Sequence, residues 1–339
     1  MNVTRHYFAD YDEFLALRKK FHAELRLGGS DIGTAAGQNK WKSRRRFYEE
    51  MVGNIEVPDI SDKQSIKDGR MCEDIVAQKF CERTGKKVHR ENCIMTSDAA
   101  PHLFASIDRK VENEDAGLEC KTANAFNHNA FVDGKLTDAY VKQVKSYLKV
   151  TGLTRWYVYV WVMGVAEYCY IFTRNGAELN SPPAWADAVY FVSDMELDEC
   201  EEIAADFCAM VAAKTPPECD GSEDEAALLK EMYPRGDTEE MVEISSVSVE
   251  DIVELNYCKL RIKELETQVS AIENRIKDAL GNATKGIIGD VKVSWKNNKS
   301  SQKTDWEAAK TEIPSNIIEK YTREVPGARV LRVGKVNAA

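Results

Sequence analysis

Two acids and a lysine stand out by type and spacing: Asp108, ten intervening residues, then Glu119-Cys120-Lys121. Placed on two antiparallel strands joined by a tight turn, Asp108 folds back toward Glu119. Glu119 and Lys121 are two positions apart, so their side chains share one face of a strand. Two carboxylates and an ammonium then project together from a hairpin. Such a set suits metal-assisted phosphodiester hydrolysis. Mg²⁺ takes hard oxygen ligands, typically one or two carboxylates plus water and phosphate. It lowers the pKa of a bound water and stabilises charge at the phosphorus. The lysine can orient that water and steady developing negative charge, and the Cys120 carbonyl offers one more oxygen. By itself the pattern also fits a solvated hairpin whose Glu–Lys pair is worth about 0.2–1 kcal/mol.

The elements that must position these residues are legible from periodicity. Residues 103–111 and 118–122 read as strands, with Glu112-Asn113-Glu114-Asp115 as the turn between them and another strand over 88–95. A helix is expected over 67–84, where Cys72, Val76 and Phe80 recur at helical spacing and Gly85 can cap the end. Glu73 borders that apolar stripe. Further helices are expected over 11–27, from about 31, over 45–52 and over 138–151. In 156–164, Trp156, Val158, Val160 and Val162 alternate onto one side of a strand, and 167–173 reads as its hairpin partner. An acidic helix over 194–214 ends at Pro216-Pro217. Far along the chain, Ile262, Leu265, Val269, Ile272, Ile276 and Ala279 step by three and four, the seam of a coiled coil or helical hairpin. A strand pair around Gly289-Asp290 follows. The domain reading is a core over 1–215, an acidic linker over 216–247 and a helix-plus-strand extension over 248–339.

The chain has 339 residues, 43% hydrophobic and 30% charged, as in ordinary globular proteins. No leader segment and no apolar run long enough for a membrane span is visible, so a soluble, cytoplasmic protein is expected. Nine scattered cysteines form no CxxC pair, which argues against a zinc ribbon or an iron–sulfur cluster. A net charge of −10 is unfavourable for binding phosphates. Between Asp194 and Glu243, however, 17 acidic residues stand against 3 basic ones, a local −14 that leaves +4 for the rest. Near the front, Lys40-Trp41-Lys42-Ser43-Arg44-Arg45-Arg46 combines charge with a stacking ring. Nucleic acid is not excluded.

Several segments follow in order: Leu27-Gly28-Gly29-Ser30-Asp31-Ile32-Gly33, Trp41-Lys42-Ser43 and Gly69-Arg70-Met71-Cys72-Glu73. Thr84-Gly85, Ala105-Ser106-Ile107-Asp108, Leu118-Glu119-Cys120-Lys121-Thr122, Tyr140-Val141-Lys142-Gln143-Val144 and Val150-Thr151-Gly152 continue the series. Together they resemble the YqaJ-type viral recombinase family, relatives of phage lambda exonuclease within the PD-(D/E)XK nuclease superfamily. The likeness spans about residues 24 to 175. Two departures are Ile107, where the superfamily expects proline, and Arg109, where relatives often carry glycine.

The resemblance implies an α/β fold with a mixed central sheet flanked by helices, in the manner of restriction endonucleases. It implies that Asp108 and Glu119 ligate Mg²⁺, with Mn²⁺ able to substitute, and that Lys121 positions the attacking water. Glu73 matches an additional acid near the metal, and Gln143 a helical glutamine lining the site, with Tyr147 one turn further on. Arg26 and Ser30 match a pair holding a terminal 5′-phosphate; Ser106, Trp41 and Lys42 complete the expected DNA-facing set. The implied activity is 5′→3′ digestion of double-stranded DNA ends, leaving 3′ overhangs for recombination beside a single-strand annealing protein of the RecT/Bet type. A homo-oligomer, as in lambda-type trimeric rings, belongs to the same expectation. Alternatives are a structure- or sequence-specific endonuclease and a non-catalytic DNA-binding recombination scaffold.

Overall fold

The computed structural model describes residues 1–57, 62–174, 181–236, 240–324, 327 and 329–333. It divides into two compact units, Met1–Met232 and Tyr233–Ala339. The first unit opens with β1 (Val3–Tyr7), α1 (Tyr11–Ala23), β2 (Leu27–Gly28), α2 (Gly29–Ala35), α3 (Arg44–Val52) and α4 (Gln64–Thr84). Next come β3 (Val88–His89), β4 (Cys93–Ser97), β5 (Ala100–Ser106), β6 (Arg109–Val111) and β7 (Ala116–Ala123). Two short 3₁₀ turns lead to α5 (Asp138–Thr151), β8 (Arg155–Val162), β9 (Ala166–Arg174), β10 (Ala188–Val192), α6 (Asp194–Ala213) and α7 (Glu223–Met232).

The expected α/β architecture is present, with the strands shared between two mixed sheets. One has the order β1-β4-β5-β2, the other β10-β9-β8-β7-β6-β3. The single strand expected over 103–111 is therefore two strands. Ser106 still pairs with Ile94 in the first sheet, whereas Arg109 pairs with Leu118 in the second. Ile107 and Asp108 form the corner where the chain changes sheets. The strand expected over 88–95 divides for the same reason: β3 pairs with β6 and β4 with β5. The hairpin turn falls where expected, with Asn113 left-handed at φ 59°.

Strand β8 shows how the core is built. Trp156, Val158, Val160 and Val162 face one hydrophobic cluster that includes Val144 and Leu148 of α5 and Phe207 of α6. Tyr157 and Tyr159 face a second cluster with Val76, Ala77 and Phe80 of α4. The alternation of a strand buried on both faces thus produces helix layers on either side of the six-stranded sheet. Helix α5 ends at Gly152, whose φ of 68° suits a residue without a Cβ. Helix α1 stops earlier than expected, at Ala23. Leu25 takes a φ of 56°, and fully buried Leu27 is drawn into β2 beside Leu103.

The compact unit runs past the expected boundary at 215. Within the presumed linker, α7 docks on α3 because Arg46 pairs with Asp224 and Glu231, each at 2.9 Å, while Asp224 also accepts the Ser43 N–H at 2.8 Å. The second unit contains α8 (Val249–Leu280), the hairpin β11 (Lys285–Ile288) and β12 (Val291–Ser294), then α9 (Trp306–Glu312) and α10 (Ser315–Tyr321). Residues 237–239 of the expected linker, and 325, 326, 328 and 334–339 of the expected extension, lie outside the described residues. Among the described residues no helix is long and apolar enough to cross a membrane.

Candidate active site

The β6–β7 hairpin register sets the site. Arg109 lies opposite Leu118, so Asp108, one residue back, comes level with Glu119. Asp108 Oδ2 accepts the Cys120 N–H at 2.7 Å, which ties the sheet corner to the strand carrying the second acid. On β7, Leu118 faces the cluster with α4, and Glu119 and Lys121 project to the other face, toward α5. Lys121 Nζ lies 2.7 Å from Glu119 Oε1 and 4.8 Å from the centre of the Tyr140 ring. Gln143 Nε2 donates to the same Glu119 oxygen at 2.7 Å and to the Tyr147 hydroxyl at 2.8 Å. Glu119, Gln143 and Tyr147 are each no more than 5% exposed.

The electrostatics of this cluster are strained in one direction. Burial, and next the charge of Glu119, push the Asp108 carboxyl well above its usual range; Lys121 and the Cys120 N–H oppose this only in part. Burial alone would depress Lys121, but Glu119, then Tyr140 and Asp108, hold its ammonium above the ordinary lysine value. Burial, followed by Glu119, also raises the Tyr147 phenol, so it is a hydrogen-bonding group and not a base. Most telling is Glu119 Oε2, which is buried without a hydrogen-bond partner. A carboxylate oxygen left this way costs free energy unless a cation or donor reaches it.

These residues fit a divalent metal of the Mg²⁺ class. The donor set is hard oxygen, two carboxylates converge, and one oxygen is orphaned. Among the described residues there is no group of three or more His, Cys, Asp or Glu side chains gathered as a ready metal cage. Glu73, expected as a further acid at the metal, does not join the pair. Its carboxylate is taken by Arg109, whose guanidinium also reaches Asp74 Oδ1 and the Asp108 carbonyl, both at 2.6 Å. Arg109 is only 3% exposed. Sequence reasoning noted it merely as a departure from glycine and missed its role as the brace of the corner. Tyr140, quoted within a motif but assigned no part, was the other omission. The available signals were a cation immediately after the motif acid Asp108 and, for Tyr140, an aromatic ring three residues before Gln143 on the same helix face.

The remaining expected residues fall in different places. Ser106, half-buried, ends β5 beside the corner. The turn before α2 packs directly on the site helix: a Cβ on Gly29 would collide with the Tyr147 ring. Arg26 and Ser30 therefore flank the residues that line the site. Ser30 is exposed, and Arg26 has a buried Nη1 without a partner. The basic run is mostly answered within the fold. Lys42 is paired with Glu50 and lies 4.7 Å above the Phe47 ring, Arg45 pairs with Glu49 at 2.6 Å, and Arg46 holds α7. Trp41, 77% exposed, keeps its open face, with Lys40 Nζ at 4.9 Å.

The family model for the YqaJ-like viral recombinase domain matches residues 13–154, a span that holds Asp108, Glu119, Lys121 and Gln143. An uncharacterised protein of Bacillus subtilis (strain 168), YqaJ, is 29% identical over 314 residues, covering 92% of this chain and 91% of that protein. Among solved structures, the alkaline exonuclease LHK-Exo from Laribacter hongkongensis is similar at a TM-score of 0.46 and 18% identity, over 60% of this chain and 94% of that one. SSO0001 is similar at a TM-score of 0.32 and 11% identity, over 59% of this chain and 88% of that one. This chain is a homologue of YqaJ and carries a YqaJ-like viral recombinase domain.

Proposed function

We propose that the chain is a Mg²⁺-dependent 5′→3′ exonuclease acting on double-stranded DNA ends, whose 3′ overhangs feed recombination through a single-strand annealing partner. The observation that carries this reading is the buried, unpartnered Glu119 Oε2 beside an Asp108 whose carboxyl is crowded by a second acid. Asp108, Glu119 and the Cys120 carbonyl would hold the ion, which when bound supplies Lewis acidity toward the phosphate and an acidified water. Lys121, kept fully charged by its neighbours, steadies negative charge at the scissile phosphate and orients the water. Gln143, itself held by the Tyr147 hydroxyl, and Lys121 fix Glu119 through one oxygen, leaving the other free. The unpartnered Arg26 Nη1 suits a terminal 5′-phosphate, a charge-assisted contact that would anchor the strand end. Exposed Trp41 gives a base a surface to stack on.

The test uses 5′-labelled linear duplex with Mg²⁺. Release of labelled mononucleotide from linear duplex, with closed circular DNA untouched, is the expected result. Cleavage of the circle would select an endonuclease on the same core. A shifted but intact duplex would mean that the protein binds DNA without cutting it.

A further inference from the structure

Tyr140, Gln143 and Tyr147 recur at i, i+3 and i+7 on α5 and so share one face of that helix. Gln143 reaches Glu119, and Tyr147 holds Gln143. Tyr140, one turn toward the N-terminus, meets Lys121 instead, whose ammonium lies 4.8 Å from the centre of its ring. The turn that carries this ring is firmly seated. A Cβ on Gly33 of α2 would come 2.9 Å from the Ala139 Cβ and 3.0 Å from its Cα, so the two helices touch beside Tyr140.

A lysine is a point charge on a flexible four-carbon stem, and one partner leaves it room to swing. Of the three N–H bonds of Lys121 Nζ, one is directed to Glu119 Oε1 at 2.7 Å. The electron-rich face of Tyr140 attracts the ammonium from a second direction and brings no formal charge. That difference decides what the ring can do here. A third carboxylate would cancel a cation that Asp108 and Glu119 already share, and an aliphatic side chain would leave it unheld. The Lys121 side chain is 20% exposed against 5% for Glu119, so the ammonium stands on the more open side of the acids.

We propose that Tyr140 is a positioning residue, whose ring holds the Lys121 ammonium beside the acid pair with its charge intact and an N–H aimed at the scissile phosphate. The role rests on the exonuclease reading above. Tyr140 acts on the chemical step through Lys121, and not on the capture of DNA.

Two measurements test this separately. In the first, kcat and KM are compared for nucleotide release from 5′-labelled linear duplex in Mg²⁺. Tyr140→Leu, which keeps bulk and removes the ring, should lower kcat about tenfold and leave KM within about twofold of the parent. Tyr140→Phe, which keeps the ring, should restore kcat to within about twofold. In a Lys121→Ala chain, Tyr140→Leu should bring no further loss, because the group it positions is gone. The second measurement needs no catalysis. In metal-free protein isotope-labelled at lysine Cε, the NMR resonance absent from Lys121→Ala should be shifted upfield by the Tyr140 ring current. That shift should vanish in Tyr140→Leu and persist in Tyr140→Phe, and unmoved signals from the other lysines show that both variants are folded. Equal rates in the Phe and Leu variants, a change in KM alone, a further loss in Lys121→Ala or a missing ring-current shift would each overturn the role of Tyr140 and leave the nuclease standing. The expected shifts in a chain that releases no nucleotide would instead overturn the exonuclease reading, and the catalytic role with it.

Discussion

Asp31 lies in the first turn of α2 with its carboxylate 3.2 Å from Arg18 and 3.0 Å from His22, whereas Asp108 turns the β5–β6 corner with the charge of Glu119 against it. Burial raises both carboxyls. At Asp31, Arg18 and His22 more than reverse that effect and hold the group well below the usual carboxylate range. At Asp108 the second acid adds to the burial, and the group is driven the other way. Asp31 also accepts the Gly28 N–H at 2.9 Å, so its partners are supplied by the fold and it fixes the turn before α2. Asp108 and Glu119 are left short of positive charge. A carboxylate satisfied by its own protein is structural. An acid pair left unsatisfied at a cost to stability is what the proposed cation site rests on.

The largest effect that could break this contrast is on catalysis. Lys121→Ala and Asp108→Asn should each slow nucleotide release from linear duplex by roughly 10³-fold, measured as initial rates in Mg²⁺. If the contrast is right, Asp108→Asn should at the same time stabilise the metal-free protein. The sign follows from linkage: a carboxyl whose folded pKa is raised costs stability once pH exceeds the ordinary carboxylate range. Thermal unfolding in a chelator should therefore shift upward, on the order of 3 °C. Unchanged or lower stability would show that Asp108 is not crowded by Glu119.

Next in size is the brace. Arg109→Gln releases Glu73 and loosens the Asp108 carbonyl, and should slow cleavage about tenfold by misplacing the acid, with little change in DNA affinity. For Asp31→Asn the expectation is a loss of about 2 kcal/mol at neutral pH, read from urea unfolding. Because the folded carboxyl of Asp31 is depressed, this contribution is present above the ordinary carboxylate range and fades as pH falls toward the lowered value. The variant and the parent should converge in strong acid. Protection from thermal unfolding by Mg²⁺ through Asp108 should likewise weaken as pH falls, but already above the ordinary carboxylate range, since a proton held more tightly competes with the ion. The smallest effect is expected at Lys42→Ala. Its charge is already matched by Glu50, so DNA affinity should change less than about twofold, whereas Trp41→Ala should weaken it more.

Much of the site could be read from the chain alone because its information is local. Glu119 and Lys121 share a face through the two-residue period of any strand, and the hairpin turn at 112–115 brings Asp108 level with Glu119. The limits of α5 followed from its helical period and from Gly152, and the inward set Trp156, Val158, Val160 and Val162 from simple alternation. Pair-specific electrostatics were not legible. Nothing in the spacing says that Arg109 will capture Glu73, some thirty-six residues away, or that Arg46 will fold part of an acidic linker back onto α3.

What the sequence determined was the identity of the chemistry-bearing residues, their order, and the local periods that aim them. Only the tertiary structure decided which charges are cancelled. The corner at Ile107-Asp108, where the chain passes between sheets, leaves two acids to share the single ammonium of Lys121, while Glu73, Lys42 and Asp31 find partners of their own. The reason is physical. Side-chain direction is fixed by neighbours along the chain, but the field at a carboxylate is summed over every charge the fold brings close, most of them distant in sequence.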